Sequence, residues 1–68
     1  MADLKTIGRK IATLRARKGL SQEDLAGLAT INRGYISRIE NGRVNFSVPV
    51  LLELAKALEV KPSKLLED

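Results

Sequence analysis

Residues 20–42 read "LSQEDLAGLATINRGYISRIENG". Two short helices lie in this stretch. The first opens at Ser21, whose hydroxyl can cap the amide three residues on, and Asp24 stands where a capping box places its carboxylate. Its apolar members are Leu25, Leu28 and Ala29. The second is capped by Asn32 and ended by Asn41-Gly42. With residue 33 at zero and about 100° per residue, Tyr35, Ile39 and Ile36 fall at about 200°, 240° and 300°. That is its buried arc. The opposite arc carries Arg33, Gly34, Ser37 and Arg38: two arginines, one small hydroxyl and one residue with no side chain. Gly34 lets that face approach a surface closely. Arginine forks match the acceptor edge of guanine and the oxygens of phosphate. The face suits the reading of a DNA groove.

Three further helical segments surround this pair. Leu4, Ile7, Ile11 and Leu14 recur at steps of 3, 4 and 3, which predicts one helix over about Asp3 to Lys18, ended by Gly19. A fourth helix begins after Ser47, with Pro49 tolerated in its first turn, and ends near Leu58. "KPSKLLED" forms a short fifth, with Pro62 near its start. Nothing reads as a strand, a repeat or a linker. Short connections imply a compact all-α bundle of five helices.

A chain of 68 residues is expected to be one domain, 1–68, with a thin margin of stability. One Phe, one Tyr and no Trp leave an aliphatic core. The absence of Cys and His removes disulfides, thiolate sites, most transition-metal sites and most acid–base pairs. No catalytic site, metal or cofactor is expected. The first residues, "MADLKTIGRK", are no signal peptide. The longest apolar run, "VPVLL", is far too short to span a bilayer. A cytoplasmic protein with no membrane partner is expected. The net charge is +4, and residues 1–22 alone hold six basic groups against Asp3. Residues 33–45 hold Arg33, Arg38 and Arg43 against Glu40. The remaining segments are acidic on balance. Solvated helix faces would account for such charges one by one; their concentration in the first two-thirds fits a side that faces a polyanion.

Residues 20–42 resemble the helix-turn-helix of the phage-repressor and Cro (XRE) family of DNA-binding regulators. "LLELAKALEVKPSKLL" resembles that family's fourth and fifth helices, so the likeness covers nearly the whole chain. It implies a lambda-repressor-like fold with its helix-turn-helix at about 21–41. It also implies double-stranded DNA as partner, the second helix across the backbone and the third in the major groove. Arg33, Gly34, Ser37 and Arg38 match base-reading positions. Gln22, at the start of the second helix, matches a DNA-contacting position, and a helix N-terminus also attracts phosphate. Asn41 and Arg43 match the phosphate-contacting loop after the third helix. Tyr35, at the edge of the buried arc, is assigned to packing, with its hydroxyl within reach of a phosphate. Arg15, at the edge of the first helix's apolar stripe, and Glu40 match an ion pair that ties the first helix to the third. Where the family often has Gly in the turn between helices two and three, this chain has Thr30. A left-handed conformation would strain it, which leaves the tilt of the third helix open.

The fourth helix carries a wide apolar arc: Val48, Leu51, Leu52, Leu54, Ala55 and Leu58. One core needs about half of it. A helix buried on two sides would use the rest; so would a homodimer joined through Val48, Leu52, Leu65 and Leu66, as two-fold operators imply. The resulting expectation is a transcriptional regulator, repressor or activator, on a palindromic operator, with no small-molecule effector. "INRGYISRIENGRVNFS" leans toward the controller proteins of restriction–modification systems. The alternatives are the antitoxin of a toxin–antitoxin pair and a helical protein-interaction module that binds no DNA.

Overall fold

The structure, a computed structural model, describes residues 3–67. Its helices are α1 (Leu4–Arg17), α2 (Gln22–Ala29), α3 (Arg33–Glu40), α4 (Val48–Leu58) and α5 (Pro62–Leu66). No strand occurs among the described residues. Four of the five begin at a side-chain cap, which satisfies amides that lack a partner within the helix. Asp3 accepts from the Thr6 amide, Ser21 from Asp24, Asn32 from Gly34 and Tyr35, and Ser47 from Val50. The Ser21 box is reciprocal: Asp24 accepts in turn from the Ser21 amide at 2.9 Å. That bond lowers the Asp24 carboxyl below its ordinary pKa.

The four longer helices also end alike. Each closes on a left-handed residue, with paired bonds that return to the last turn. Leu20, Ile31, Arg43 and Val60 donate their amides to the carbonyls of Arg15, Ala26, Arg38 and Ala55, at 2.9–3.1 Å. Glycine takes the left-handed position twice, at Gly19 and Gly42, but Thr30 (φ 57°) and Glu59 (φ 59°) take it at the ends of α2 and α4. The turn of the helix-turn-helix is therefore of the glycine type with a β-branched residue in it. After three of the four ends the next residue, Leu20, Ile31 or Val60, is apolar and half-buried. After α3 it is Arg43, which is exposed.

The core draws on every helix: Ile7 and Ile11, Leu25, Ala26 and Ala29, Ile36 and Ile39, Leu51, Leu54, Ala55 and Leu58, and Leu65. α3 packs on α1 and α2; α4 packs on α1, α2 and α5. Two side chains depart from the sequence-based assignment. Leu28, expected among the apolar members of α2, is 59% exposed. Ala26 is buried in α2 instead, because an eight-residue helix held between α3 and α4 turns only a narrow stripe inward. Leu65, expected at a subunit contact, is fully buried in the chain's own core. It closes the bundle between α4 and α1, and only Leu66 beside it remains exposed.

The tightest approach in the fold joins backbone to backbone. A Cβ placed on Gly8 of α1 would overlap the Ile39 carbonyl oxygen and lie 2.9 Å from that of Glu40. Gly42 rests on the backbone of Lys5, whose Cα a Cβ would meet at 2.7 Å. The start of α1 is thus seated on the end of α3 with no room for a methyl group.

Two substitutions should move stability in opposite directions. Gly8→Ala gains helix propensity of up to about 1 kcal/mol but forces a methyl into fixed carbonyls. Overpacking of that kind costs about 1–3 kcal/mol or more, so net destabilisation is expected. Thr30→Gly relieves left-handed strain of about 1–2 kcal/mol against the greater freedom of glycine in the unfolded chain, about 0.4–1 kcal/mol. A net gain near 0.5–1 kcal/mol is expected. Urea unfolding of the two variants without DNA checks both, and a gain from Gly8→Ala would show that the α1–α3 seat is loose.

Candidate nucleic-acid interface

α3 presents its outer face as a short cationic ridge. Arg33, Gly34 and Arg38 are exposed, and Ser37 is half-buried between them. Arg38 stacks over the Tyr35 ring, 5.7 Å from its centroid. The half-buried Tyr35 packs against the core below, and its hydroxyl lies 3.5 Å from the Asn45 carbonyl. The ring thus braces the Arg38 stem at the middle of the ridge. Gly34 also has a reason apart from close approach to a surface. A Cβ there would stand 3.0 Å from the Asn32 cap oxygen, so the absent side chain keeps the cap open.

The ridge continues past the end of α3. The Asn41 side chain donates to the Ser37 carbonyl at 2.8 Å, and the left-handed Gly42 (φ 69°) turns the chain so that Arg43 emerges beside it. Arg33, Arg38 and Arg43 enter no ion pair among the described residues; the paired cations are Arg15, Lys18 and Lys64. Lys5 stands against this loop because its backbone carries Gly42, and its side chain is exposed. No local pattern pointed to Lys5, since the contact joins residues far apart in the chain.

Behind the ridge lies the Arg15–Glu40 pair. Arg15 Nε donates to Glu40 Oε2 at 2.6 Å and its Nη2 donates to Oε1 at 3.1 Å. Nη1 donates to the Leu20 carbonyl at 2.7 Å. The side chains are 18% and 5% exposed. Hydrogen bonding to Glu40 raises the pKa of the guanidinium and outweighs the burial that would lower it. Gln22 completes the set: its side-chain amide donates to Glu40 Oε1 at 3.0 Å. One carboxylate in the last turn of α3 therefore receives hydrogen bonds from α1 and from the first residue of α2. Gln22, singled out as a contact to DNA, is held in place by α3.

Val48, Leu52 and Leu66 are exposed, Val48 by 66%. Leu4 and Phe46 are half-buried beside them and share a shallow cleft with Val48 and Leu66. This apolar face lies on α4, α5 and the start of α1, apart from the α3 ridge.

The sequence matches the helix-turn-helix domain family over residues 6–67. The chain belongs to the helix-turn-helix family. This helix-turn-helix protein is 41% identical over 61 residues to the control protein C.BamHI of Bacillus amyloliquefaciens, covering 88% of its own length and 75% of that relative. Its fold matches the crystal structure of the restriction–modification controller protein C.AhdI from Aeromonas hydrophila with a TM-score of 0.91, at 43% identity over 96% of this chain and 98% of that one. It also matches the biofilm regulator SinR in complex with DNA, with a TM-score of 0.84 at 35% identity over 90% of this chain and 98% of that one. No helix among the described residues is long and apolar enough to cross a membrane.

The Arg15–Glu40 pair should stabilise the domain through coupling between its partners. Loss of either partner leaves a charge in a mostly buried place. Breaking a fully buried pair costs about 3–5 kcal/mol, and the partial exposure of Arg15 puts the effect at the lower end. In a double-mutant cycle with Arg15→Met and Glu40→Met, thermal unfolding without DNA should give a coupling energy above roughly 0.5 kcal/mol. Additive losses would mean that the pair adds nothing as a pair.

Proposed function

We propose that this protein is a sequence-specific transcriptional regulator that binds its operator through α3, as a homodimer. The observation that carries the reading is the ridge of Arg33, Arg38 and Arg43. These three cations lie outside the described ion pairs; Arg33 and Arg38 stand on a helix tied at its end to both neighbours, and Arg43 follows it past Gly42. In this reading Arg33, Gly34, Ser37 and Arg38 face base edges. Asn41, Arg43 and Tyr35 flank the phosphates, with Lys5 beside them. At the other end of the site, the box uses the Ser21 and Asp24 amides and leaves those of Gln22 and Glu23, with the fixed Gln22 side chain, for the backbone. The resemblance to control proteins supports a role in gene control of the same kind, and no catalytic step belongs to it.

The apolar face supports the homodimer. Val48, Leu52 and Leu66, with Leu4 and Phe46, replace the set that included Leu65. A two-fold pairing there would present two α3 helices to half-sites about 34 Å apart on a palindromic operator.

Binding-site selection from random duplexes supplies the operator for a test. Arg38→Ala should weaken the selected site by about 1–3 kcal/mol more than random DNA. Arg43→Ala should weaken both alike and reduce the salt slope by about one unit per chain. If Arg38→Ala costs the same on both duplexes, its base-reading role fails; if Arg43→Ala leaves the slope unchanged, its phosphate role fails.

The dimer has its own test. Leu52 is 48% exposed, so Leu52→Glu should spare the core. It should raise the dimer dissociation constant at least roughly tenfold, because two carboxylates would be desolvated at the two-fold contact. Sedimentation equilibrium that finds the variant as dimeric as the parent chain would move the interface elsewhere.

A further inference from the structure

The face of α1 opposite α3 carries charge that DNA seated on the ridge does not use. With Gly8, the residue that meets α3, at zero, Arg9, Thr13, Thr6, Arg17 and Lys10 fall at about 100°, 140°, 160°, 180° and 200°. Lys64 of α5 joins them across a cavity of about 320 Å³. Arg9 and Lys10 share one turn of α1 and Arg17 lies about two turns on, so with Lys64 four cations surround one concavity. Lys10 donates to the Glu67 carbonyl oxygen at 2.8 Å, a contact that fixes the end of its side chain, and it enters no ion pair among the described residues. Among the described residues the Glu67 carboxylate pairs with Lys64, at 3.8 Å. Asp3 lies within electrostatic reach of Arg9 at the far end. The floor is Leu14, half-buried, and the Thr6 and Thr13 side chains lie between the cations.

We propose that this cleft binds a compact organic polyphosphate of nucleotide size, with its phosphates among Arg9, Lys10, Arg17 and Lys64 and its apolar part on Leu14. Arginine forks and threonine hydroxyls both serve phosphate oxygens. The volume stands at the lower end of small-ligand sites, about 300–1,000 Å³. The apolar floor distinguishes the cleft from a docking track for a second duplex. A duplex backbone presents phosphates on a convex surface and needs protruding cations, but no cavity and no apolar base.

Titration calorimetry of the full chain with ATP at constant ionic strength tests the site. Saturable binding of one ATP per chain is expected, with a dissociation constant below about 1 mM. The double variant Arg17→Gln/Lys64→Gln alters only exposed side chains and should weaken binding roughly tenfold. Arg38→Gln/Arg43→Gln should leave it within about twofold, since those residues lie on the other side of α1. ATP should also bind undiminished when the chain is saturated with its selected operator. Absence of saturable binding, equal affinity in the Arg17/Lys64 variant, or displacement by the operator would each overturn the proposal. Inorganic triphosphate that binds as tightly as ATP would overturn the role given to Leu14. Failure of the chain to bind any duplex would count against the DNA reading alone, because the comparison of variants with ATP needs no DNA.

Discussion

A carbonyl oxygen in a helix cannot step aside for a methyl group, and the orientation of α3 rests on that fact. Gly8 brings α1 onto the Ile39 and Glu40 carbonyls, and Gly42 lies on the backbone of Lys5. Both contacts fall in or just beyond the last turn of α3. They leave the first turn to be set by the Asn32 cap and by the short turn from α2. A helix of eight residues fixed at both ends has little freedom to tilt. The side chains on its outer face therefore inherit their directions from the seat, and the core residues Ile36 and Ile39 hold it down from within.

The helix ends explain how such short segments hold their limits. An isolated helix under about a dozen residues is marginal in water, and four of the five here are that short. Side-chain caps satisfy the leading amides, and a left-handed closure satisfies the trailing carbonyls. Thr30 and Glu59 adopt that closure without the ease of glycine. The following residues, Ile31 and Val60, pack against the core, and this burial offsets the strain in a way that an exposed closure could not. At the end of α3 the logic reverses. Gly42 removes the strain, so the next residue need not be buried, and an arginine can stand there in solvent.

Much of this was legible in the chain because it is local. Ser21-x-x-Asp24, Asn32 and Gly42 mark helix ends by their own chemistry, and the spacing from Leu4 to Leu14 marks a stripe wherever it packs. The face of Arg33 and Arg38 follows from the same short-range geometry, whereas Arg43 was assigned through the resemblance. What stayed hidden depends on which neighbour a residue meets. Leu28 and Leu65 are both leucines on short amphipathic helices, yet one is exposed and the other fully buried; periodicity gives a direction on the helix, not the element that lies in that direction. Gly8 looked like any glycine in a helix, because its reason is a carbonyl thirty-one residues away. Gln22 was singled out from the resemblance alone, and its bond to Glu40 emerged only when α2 and α3 were placed side by side.

The Glu40 network poses a question of energy that its geometry answers. A mostly buried ion pair is a poor stabiliser, and apolar residues of similar volume often serve a core as well or better. Leu, Ile and Ala fill the rest of this core, so an apolar contact between α1 and α3 was chemically available. Apolar packing, however, tolerates sliding and small rotations, because dispersion has little directionality. The bidentate fork of Arg15 fixes distance and plane together, and the Gln22 amide adds a third direction from α2. Each bond on that carboxylate comes from a helix other than α3. A rotation of α3 would break all three at once and leave a charge that only 5% exposure connects to water. The network thus adds little to the depth of the energy well and much to its narrowness. If the outer side chains of α3 meet a groove in one register, as proposed above, the helix needs the narrowness more.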